Sequence, residues 1–441
     1  MNYKEALTYI EEIGKYGSVP GLDSVKELCR RLGNPQDGLS FVHIAGTNGK
    51  GSVLAYISTV LQEAGYRVGR YISPTISDYR ERIQVGGKII SKEGLCRHLE
   101  TVRSVAEDMV KAGKPHPTAF EIETALSFLY FREKKCDIVV LETGLGGSLD
   151  ATNLVTTTVV SVIASVSRDH MAVLGETLSE IAKNKAGIIK EGVPVVSMEQ
   201  EPEAMQVIRR TAEEKGSRLV VASKEEAKNI HYGVEKQKFD YKQYKKIEIT
   251  LAGQCQIDNC MLAIETLLVL SERGFHIKEN ALREGLKKTV WKGRFSVIAK
   301  KPYFIVDGAH NEDAAKKLAS SIRFYFTNKK IIYIMGILKD KEYGKIIAET
   351  CQLAEQIITV ATPGNARAMP AYELAKAVKE QHPNVTAADS LEEAVEMSYL
   401  LADQDSVIIA FGSLSFLGQI MTIVENRHTI RRDSHGRSEE N

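Results

Sequence analysis

The chain has 441 residues, 43% of them hydrophobic and 26% charged, with a net charge of +1. That length suggests two or three domains, since one domain commonly takes ~100–200 residues. The balanced charge offers no bulk field for nucleic acid or an anionic membrane, and no apolar run approaches the ~20 residues that cross a bilayer. The six cysteines are scattered and none forms Cys-x-x-Cys, which argues against a zinc or disulfide framework and fits a reducing, cytoplasmic setting.

The opening "MNYKEALTYIEEIGKYG" is an amphipathic helical pattern without the apolar core of a signal peptide. Beyond it, short apolar runs alternate with longer helical patterns. Strands are predicted at Phe41–Ala45, Asp137–Leu141, Thr158–Ile163, Pro194–Ser197, Tyr303–Val306, Ile331–Met335, Ile357–Val360 and Val407–Phe411. Helices are predicted at Lys50–Ala64, Leu178–Ile189, Ile257–Glu272, Asn311–Phe324 and Leu391–Leu401. Unbroken apolar strands alternating with helices predict an α/β fold of mainly parallel sheets covered on both faces. The pattern restarts after "WKGRFSVIAKKPYFIVDGAHN", which places a boundary near Lys292–Ser296. The expected organisation is an N-terminal domain over 1–293, a smaller α/β domain over 294–426 and a polar tail over 427–441 without fixed structure.

The most informative stretch is "FVHIAGTNGKGSVLAYISTVLQEAGY", which starts at Phe41. Its centre, Thr47-Asn48-Gly49-Lys50-Gly51-Ser52 after Gly46, departs from the usual phosphate loop G-x-x-x-x-G-K-[ST] by a glycine between lysine and serine. After Lys50, apolar residues fall at Val53, Leu54, Ile57, Val60, Leu61 and Ala64, which is helical spacing closed by Gly65. The glycine-rich segment therefore joins a strand to a helix, where free amides and the helix dipole favour an anion. Lys50 can reach terminal phosphate oxygens, and Ser52 can offer a hydroxyl to phosphate or Mg²⁺.

This loop resembles that of the Mur ligase superfamily, and most closely the folylpolyglutamate synthase and dihydrofolate synthase family. Further motifs follow in order. "YISPTISDYRERI" is similar to the family's Ser-Pro-His loop, with Thr75 in place of His. "PTAFEIETALSF" is similar to its folate-contacting segment. "LETGLGGSLDATN" is similar to its G-L-G-G-R-L-D-A-T-N, with Ser148 in place of Arg. "RDHMAVLGETLSEIAKNKAGIIK", "WKGRF" and "VDGAHNEDAAKKLA" resemble its later elements. The likeness runs from about Gly21 to Gly418, nearly the whole chain.

The resemblance implies a Mur-ligase-like fold with an N-terminal P-loop ATPase domain. It implies ligation of L-glutamate to a folate carboxylate, activated by ATP as an acyl phosphate, with dihydropteroate as a further acceptor. Ser73 and Glu142 are then expected to hold one Mg²⁺, and His170 with a carbamylated Lys185 a second. Lys50, His170, Lys185 and His310 form the expected catalytic set. Asn259, Arg294 and Asp307 are placed at the nucleotide, beside the loop residues. Thr118, Ala119, Phe120, Glu121, Asp150 and Ala151 are placed at the folate. Asn311, next to His310, can cap the following helix. The substitutions at Thr75 and Ser148 bear on the folate more than on ATP. The expected molecule is a monomer with no nucleic-acid or membrane partner. Two other readings stand beside it: a Mur-type ligase for another carboxylate, such as a peptidoglycan precursor, and a nucleotide-binding switch without ligase turnover.

Overall fold

The computed structural model describes residues 1–15, 17 and 21–436. An eight-stranded sheet forms from β1 (Phe41–Ala45), β2 (Val68–Tyr71), β3 (Ile83–Val85), β4 (Lys88–Ile89), β5 (Ile138–Glu142), β6 (Thr158–Ile163), β7 (Val195–Met198) and β8 (Leu219–Ala222). Its order is β4-β3-β2-β5-β1-β6-β7-β8. From β2 to β8 the pairings are parallel, and β3 and β4 close one edge as an antiparallel hairpin. β1 is buried at all five positions, as an unbroken Phe-Val-His-Ile-Ala run inside a two-faced sheet must be.

One face of this sheet packs on the helices Lys50–Glu63 and Cys255–Glu272, through Val53, Ile57, Val60, Ile257 and Ile264. The other face is covered by the helices Tyr3–Gly14, Asp23–Arg31, Lys92–Lys111 and Ala119–Glu133. The first of these starts on an Asn2–Glu5 capping box and buries Ala6, Ile10 and Ile13, as the opening amphipathic pattern predicts.

A three-stranded antiparallel sheet follows, made of β9 (Ala227–His231), β10 (Gln237–Tyr241) and β11 (Tyr244–Ile249). The strand pattern read from the sequence does not contain it, because "AKNIH" and "YKKIEI" alternate polar and apolar and lack the continuous apolar run of a buried strand. The second large sheet has the order β12 (Ser296–Lys300), β13 (Tyr303–Asp307), β17 (Val407–Phe411), β14 (Ile331–Met335), β15 (Gln356–Thr359) and β16 (Val385–Ala387). It is parallel except for β12. The fold is therefore α/β, with a larger N-terminal, mainly parallel-sheet unit and a smaller C-terminal α/β unit, as the sequence predicts.

One expectation is corrected. The backbone does not lose structure at 427, because the helix Leu414–Gly436 continues through it. "ENRHTIRRD" contains no glycine or proline, and nothing in it stops a helix already under way. The last stretch of that expectation, 437–441, lies outside the described residues.

Candidate active site

The site lies where the C-terminal ends of β1, β5 and β6 face the C-terminal unit. Ligands of open α/β sheets bind at this edge. Three adjoining cavities occupy it. The first, about 360 Å³, is walled by Thr118, Phe120, Glu121, Asp150 and Ala151. The second, about 270 Å³, holds Lys50, Glu142, His170, Lys185 and His310. The third, about 70 Å³, holds Gly49, Ser52, Asn259 and Asp307. Ser73 and Pro74 belong to the first two, and Asn48 and Arg294 to the second and third.

The glycine-rich loop after β1 explains its own spacing. Gly49 takes a left-handed conformation (φ 86°) at the start of the helix Lys50–Glu63, and a Cβ there would lie 2.5 Å from Asn259 Oδ1. The additional glycine, Gly51, is forced by the indole of Trp291, whose ring atoms would lie 2.7–2.9 Å from a Cβ. A serine directly after Lys50 could not pass that ring, so the hydroxyl sits one position later, at the buried Ser52. The amides of Thr47 and Asn48 are engaged by the Ser165 carbonyl. The first i→i−4 bond of the helix is Val53 N to Gly49 O at 3.0 Å, and the amides ahead of it have no helical carbonyl to meet.

Lys50 does not face solvent. Its Nζ donates to the carbonyls of Gly46 (3.0 Å) and Thr47 (3.2 Å) and lies 4.0 Å from Glu142 Oε1. Burial lowers the pKa of Lys50, against the opposing charge of Glu142. Burial likewise raises that of Glu142, which Lys50 partly offsets. Glu142 is the last residue of β5 and is buried. Ser73 Oγ is buried beside this cavity with no hydrogen-bond partner among the described residues. An orphaned hydroxyl near a buried carboxylate suits a hard cation that takes few protein oxygens and keeps waters. Among the described residues, no three His, Cys, Asp or Glu side chains gather as a metal cluster.

Lys185 stands in the last turn of the helix Leu178–Ala186 and looks like a solvated lysine in sequence. It is 3% exposed, and its Nζ donates to Gly46 O at 2.9 Å. Burial, helped by the charge of Lys50, lowers its pKa to about 7. His170 adopts a left-handed backbone (φ 52°) ahead of the single helical turn Met171–Leu174. Burial lowers its pKa to about 4, more than Asp169 raises it, so the ring is neutral near pH 7.

At the third cavity, Asp307 closes β13. One of its oxygens accepts from the Phe295 amide (2.7 Å) and the other from the Ala309 amide (2.8 Å). Arg294 precedes Phe295, which turns at φ 46°, so the guanidinium stands where the C-terminal unit begins. His310 Nδ1 meets Gly308 O at 2.7 Å. Asn311 caps its helix by accepting from Ala314 N (2.9 Å) and also donates to Asp169 Oδ2 (2.9 Å).

At the first cavity, Thr118 and Glu121 form a reciprocal capping box at the start of the helix Ala119–Glu133. Phe120 lies against Gly144, where a Cβ would be 2.5 Å from its ring, whereas Ala119 packs beneath against the core. Asp150 is buried, and its carboxylate accepts from Leu145 N (2.8 Å), Thr152 N (3.0 Å) and Thr152 Oγ1 (2.5 Å). Ala151 continues this turn.

Sequence reasoning missed the group that ties the two units together. Asp169 Oδ1 accepts from Lys341 Nζ at 2.8 Å, and Asn48 Nδ2 donates to Asp313 Oδ2 at 2.7 Å. Desolvation works against the Asp169 charge, yet the hydrogen bond from His310 and the charge of Lys341 outweigh it and hold the carboxyl well below its usual range. Asp169 lies inside the "RDH" motif, but Lys341 sits in a polar "LKDKEYG" stretch with no local signal.

Residues 44–267 match the family model of the Mur ligase middle domain, and residues 293–414 that of the Mur ligase glutamate ligase domain. A dihydrofolate synthase/folylpolyglutamate synthase of Bacillus subtilis strain 168 is 37% identical over 429 residues, covering 95% of this chain and 98% of its own. The crystal structure of a folylpolyglutamate synthase from Thermotoga maritima superposes with a TM-score of 0.82 at 35% identity, over 95% of either chain. FolC of Escherichia coli, solved in complex with DHPP and ADP, superposes with a TM-score of 0.85 at 27% identity, over 97% of this chain and 99% of that one. The chain belongs to the Mur ligase family, in its folylpolyglutamate synthase and dihydrofolate synthase branch.

Proposed function

We propose that this chain ligates L-glutamate to the carboxylate of a folate, using ATP to form an acyl phosphate. It is an ATP-dependent ligase by family, and ATP is its co-substrate. The observation that carries the reading is the run of three cavities, with Ser73 shared by the first and second and Arg294 by the second and third. A folate in the first points its carboxylate past Ser73 at a phosphate in the second, whose nucleoside lies in the third. A carboxylate is a poor electrophile, so phosphorylation must come first. The carboxylate oxygen bonds to the γ-phosphorus and ADP leaves. The glutamate amine then bonds to the acyl carbon, inorganic phosphate leaves and the amine gives up a proton. No known contact of the glutamate is needed for this order; only the acyl phosphate has a leaving group.

Ser73 Oγ and Glu142 are the residues that would hold Mg²⁺, which when bound neutralises phosphate charge and aligns it for attack. Lys50 releases the Gly46 and Thr47 carbonyls and turns to the terminal phosphate. Arg294 reaches the same phosphates from the C-terminal unit, with bidentate geometry available. Asp307, anchored by two amides, keeps lone pairs for the ribose hydroxyls. Thr118, Phe120, Glu121, Asp150 and Ala151 shape the folate wall. Lys185 is proposed to carry a carbamate: its neutral amine bonds to CO₂ and a proton is released. A pKa of about 7 supplies that neutral amine. The resulting anion and neutral His170 are suited to a second Mg²⁺. All these groups come from one chain, so no second copy is needed to complete the proposed site. No helix of the described residues is long and apolar enough to cross a membrane, and the six cysteines are unpaired, in keeping with a cytoplasmic protein.

The test measures phosphate release from ATP with L-glutamate and, separately, dihydropteroate, dihydrofolate and tetrahydrofolates. Release with at least one folate, and product one glutamate heavier by mass, is expected. Release with none of them, beside turnover of a peptidoglycan precursor, would overturn the reading. Arg294→Ala and Asp307→Ala should raise KM for ATP more than for folate, by about ten- to a hundredfold for a lost charge-assisted contact.

A further inference from the structure

Asp313 belongs to the C-terminal unit and stands in the first turn of the helix Glu312–Tyr325. An acid there commonly serves only its own helix, through the dipole and through an i,i+4 pair such as the one with Lys317 at 2.7 Å. Here the same oxygen, Oδ2, also accepts from two side chains of the N-terminal unit, Asn48 Nδ2 at 2.7 Å and Ser167 Oγ at 3.3 Å. Lys317 Nζ in turn donates to Ser165 Oγ at 3.3 Å. The Ser165 carbonyl accepts from the amides of Thr47 (2.7 Å) and Asn48 (3.3 Å). Asn48 is therefore held twice, its main chain by Ser165 and its side chain by Asp313, and Lys317 joins the two holders. Asn48 lines the second and third cavities, whereas Asp313 lines neither and faces a neighbouring one with Ser165 and Ser167. A carboxylate behind the loop brings no contact to a phosphate, and its charge by itself opposes one.

We propose that Asp313 is a positioning residue for nucleotide binding: it fixes the side chain of Asn48, and through it the glycine-rich turn after β1, in the form that receives the phosphates. The proposal rests on the placement of ATP given above. The carboxylate has two effects of opposite sign. Removing it takes an anion away from the neighbourhood of anionic phosphates, which favours binding. Removing it also frees the Asn48 amide to rotate, so the turn must be ordered when nucleotide arrives, which disfavours binding. A charge-assisted hydrogen bond at 2.7 Å outweighs a screened charge that makes no direct contact. Affinity should therefore fall, and the sign of the change separates positioning from plain electrostatics.

The experiment measures ADP binding by titration calorimetry, and steady-state constants, for Asp313→Ala, Asp313→Asn, Asn48→Ala and the double alanine variant, with thermal unfolding of each. Asp313→Ala should weaken ADP binding and raise the KM for ATP about fivefold to tenfold, the size of one hydrogen bond to a charged group less the relief of charge. The KM for the folate acceptor should stay within about twofold, since no contact to the first cavity is lost. Asp313→Asn keeps an oxygen for Asn48 without the charge, so it should return ADP binding to near that of the unsubstituted chain. On the Asn48→Ala background, Asp313→Ala should cost nothing further. Asp313→Ser, too short to reach Asn48 and suited to a helix start, takes the place of the alanine variant if that one fails to fold. ADP bound as tightly or more tightly by the folded Asp313→Ala variant, an asparagine variant no better than the alanine one, or losses that add in the double variant would each overturn the positioning role while leaving the ligase reading intact. Absence of ADP binding in the unsubstituted chain would overturn both.

Discussion

Two glycine-rich turns leave neighbouring parallel strands, Gly46–Gly51 after β1 and Thr143–Asp150 after β5, and the sequence makes them look alike. Their backbones are used in opposite ways. In the second turn the amides are spent on protein acceptors: Leu145 and Thr152 donate to Asp150, Asp150 to Gly147 O, and Ser148 to Asn184 O on the helix Leu178–Ala186. A Cβ on Gly147 would lie 2.7 Å from Asn184 O, so this turn is pressed flat on the end of a helix. In the first turn the glycines admit Asn259 and Trp291, while the leading amides of the helix stay free of helical carbonyls. Glycine content therefore does not mark an anion site. The destination of the amides separates the two turns: in the first, Thr47 and Asn48 meet Ser165 O while the amides opening the helix have no helical carbonyl to meet, and in the second they are spent on holding a shape.

The sharpest way to break this contrast is Lys50→Ala. If the first turn serves phosphate, kcat should fall about a hundred- to a thousandfold or more, as when one transition-state donor is removed. Thermal unfolding is measured beside it, because Lys50 holds its own loop and also lies 4.0 Å from the buried Glu142, which its removal leaves without its nearest cation. Near-normal turnover would remove the phosphate assignment.

Lys185 tests the same turn from behind. Carbamate formation needs the neutral amine, and with a pKa of about 7 that form dominates above pH 7 and is lost below it. Activity should therefore decline as the pH falls through about 7, decline further when bicarbonate and CO₂ are stripped, and recover on their return. Lys185→Ala should show no bicarbonate response, and a ¹³C-labelled carbamate resonance should be absent from it.

Asp150→Asn probes the second turn. An amide in place of the carboxylate turns an NH₂ donor toward a backbone N–H that is then left without an acceptor, at about 1–3 kcal/mol. Chemical denaturation should register that loss, and the KM for folate should rise more than that for ATP. An equal change in both would mean that the two turns are not separable.

The smallest effect is expected at Thr118→Ala. Loss of an N-cap costs about 1 kcal/mol, since Thr118 Oγ1 accepts from Glu121 N at 3.3 Å. Thr118→Ser should restore stability; if it also restores folate affinity, the hydroxyl acts through the cap.

Where sequence reading succeeded, the cause was local. β1, β6, β14, β17 and the helix Leu391–Leu401 have the bounds their apolar runs predict, because unbroken hydrophobic stretches flanked by polar residues have few alternative homes. Glu142 ends a buried strand and Lys50 opens the helix after its turn, both local features of the apolar pattern. What could not be read is non-local. β2, "VGRY", is four residues with a glycine and an arginine, and it is a strand because β5 pairs with it. Lys341 and Asp169 are 172 residues apart, so no spacing rule connects them. The antiparallel strands β9–β11 alternate with polar residues and pass for loop.

Trp291 is the only tryptophan in the chain. It lies half-buried against Gly51, between the helix of the phosphate turn and the first strand of the C-terminal unit. Its emission is therefore an unlabelled optical signal from one place, free of overlap from any other indole. Filling of the third cavity, which Gly49 and Ser52 line on either side of the Gly51 contact, is expected to change the polarity around that ring. Stopped-flow fluorescence on the natural sequence can then time nucleotide arrival separately from chemistry, an advantage that most enzymes of this size gain only after their other tryptophans are removed.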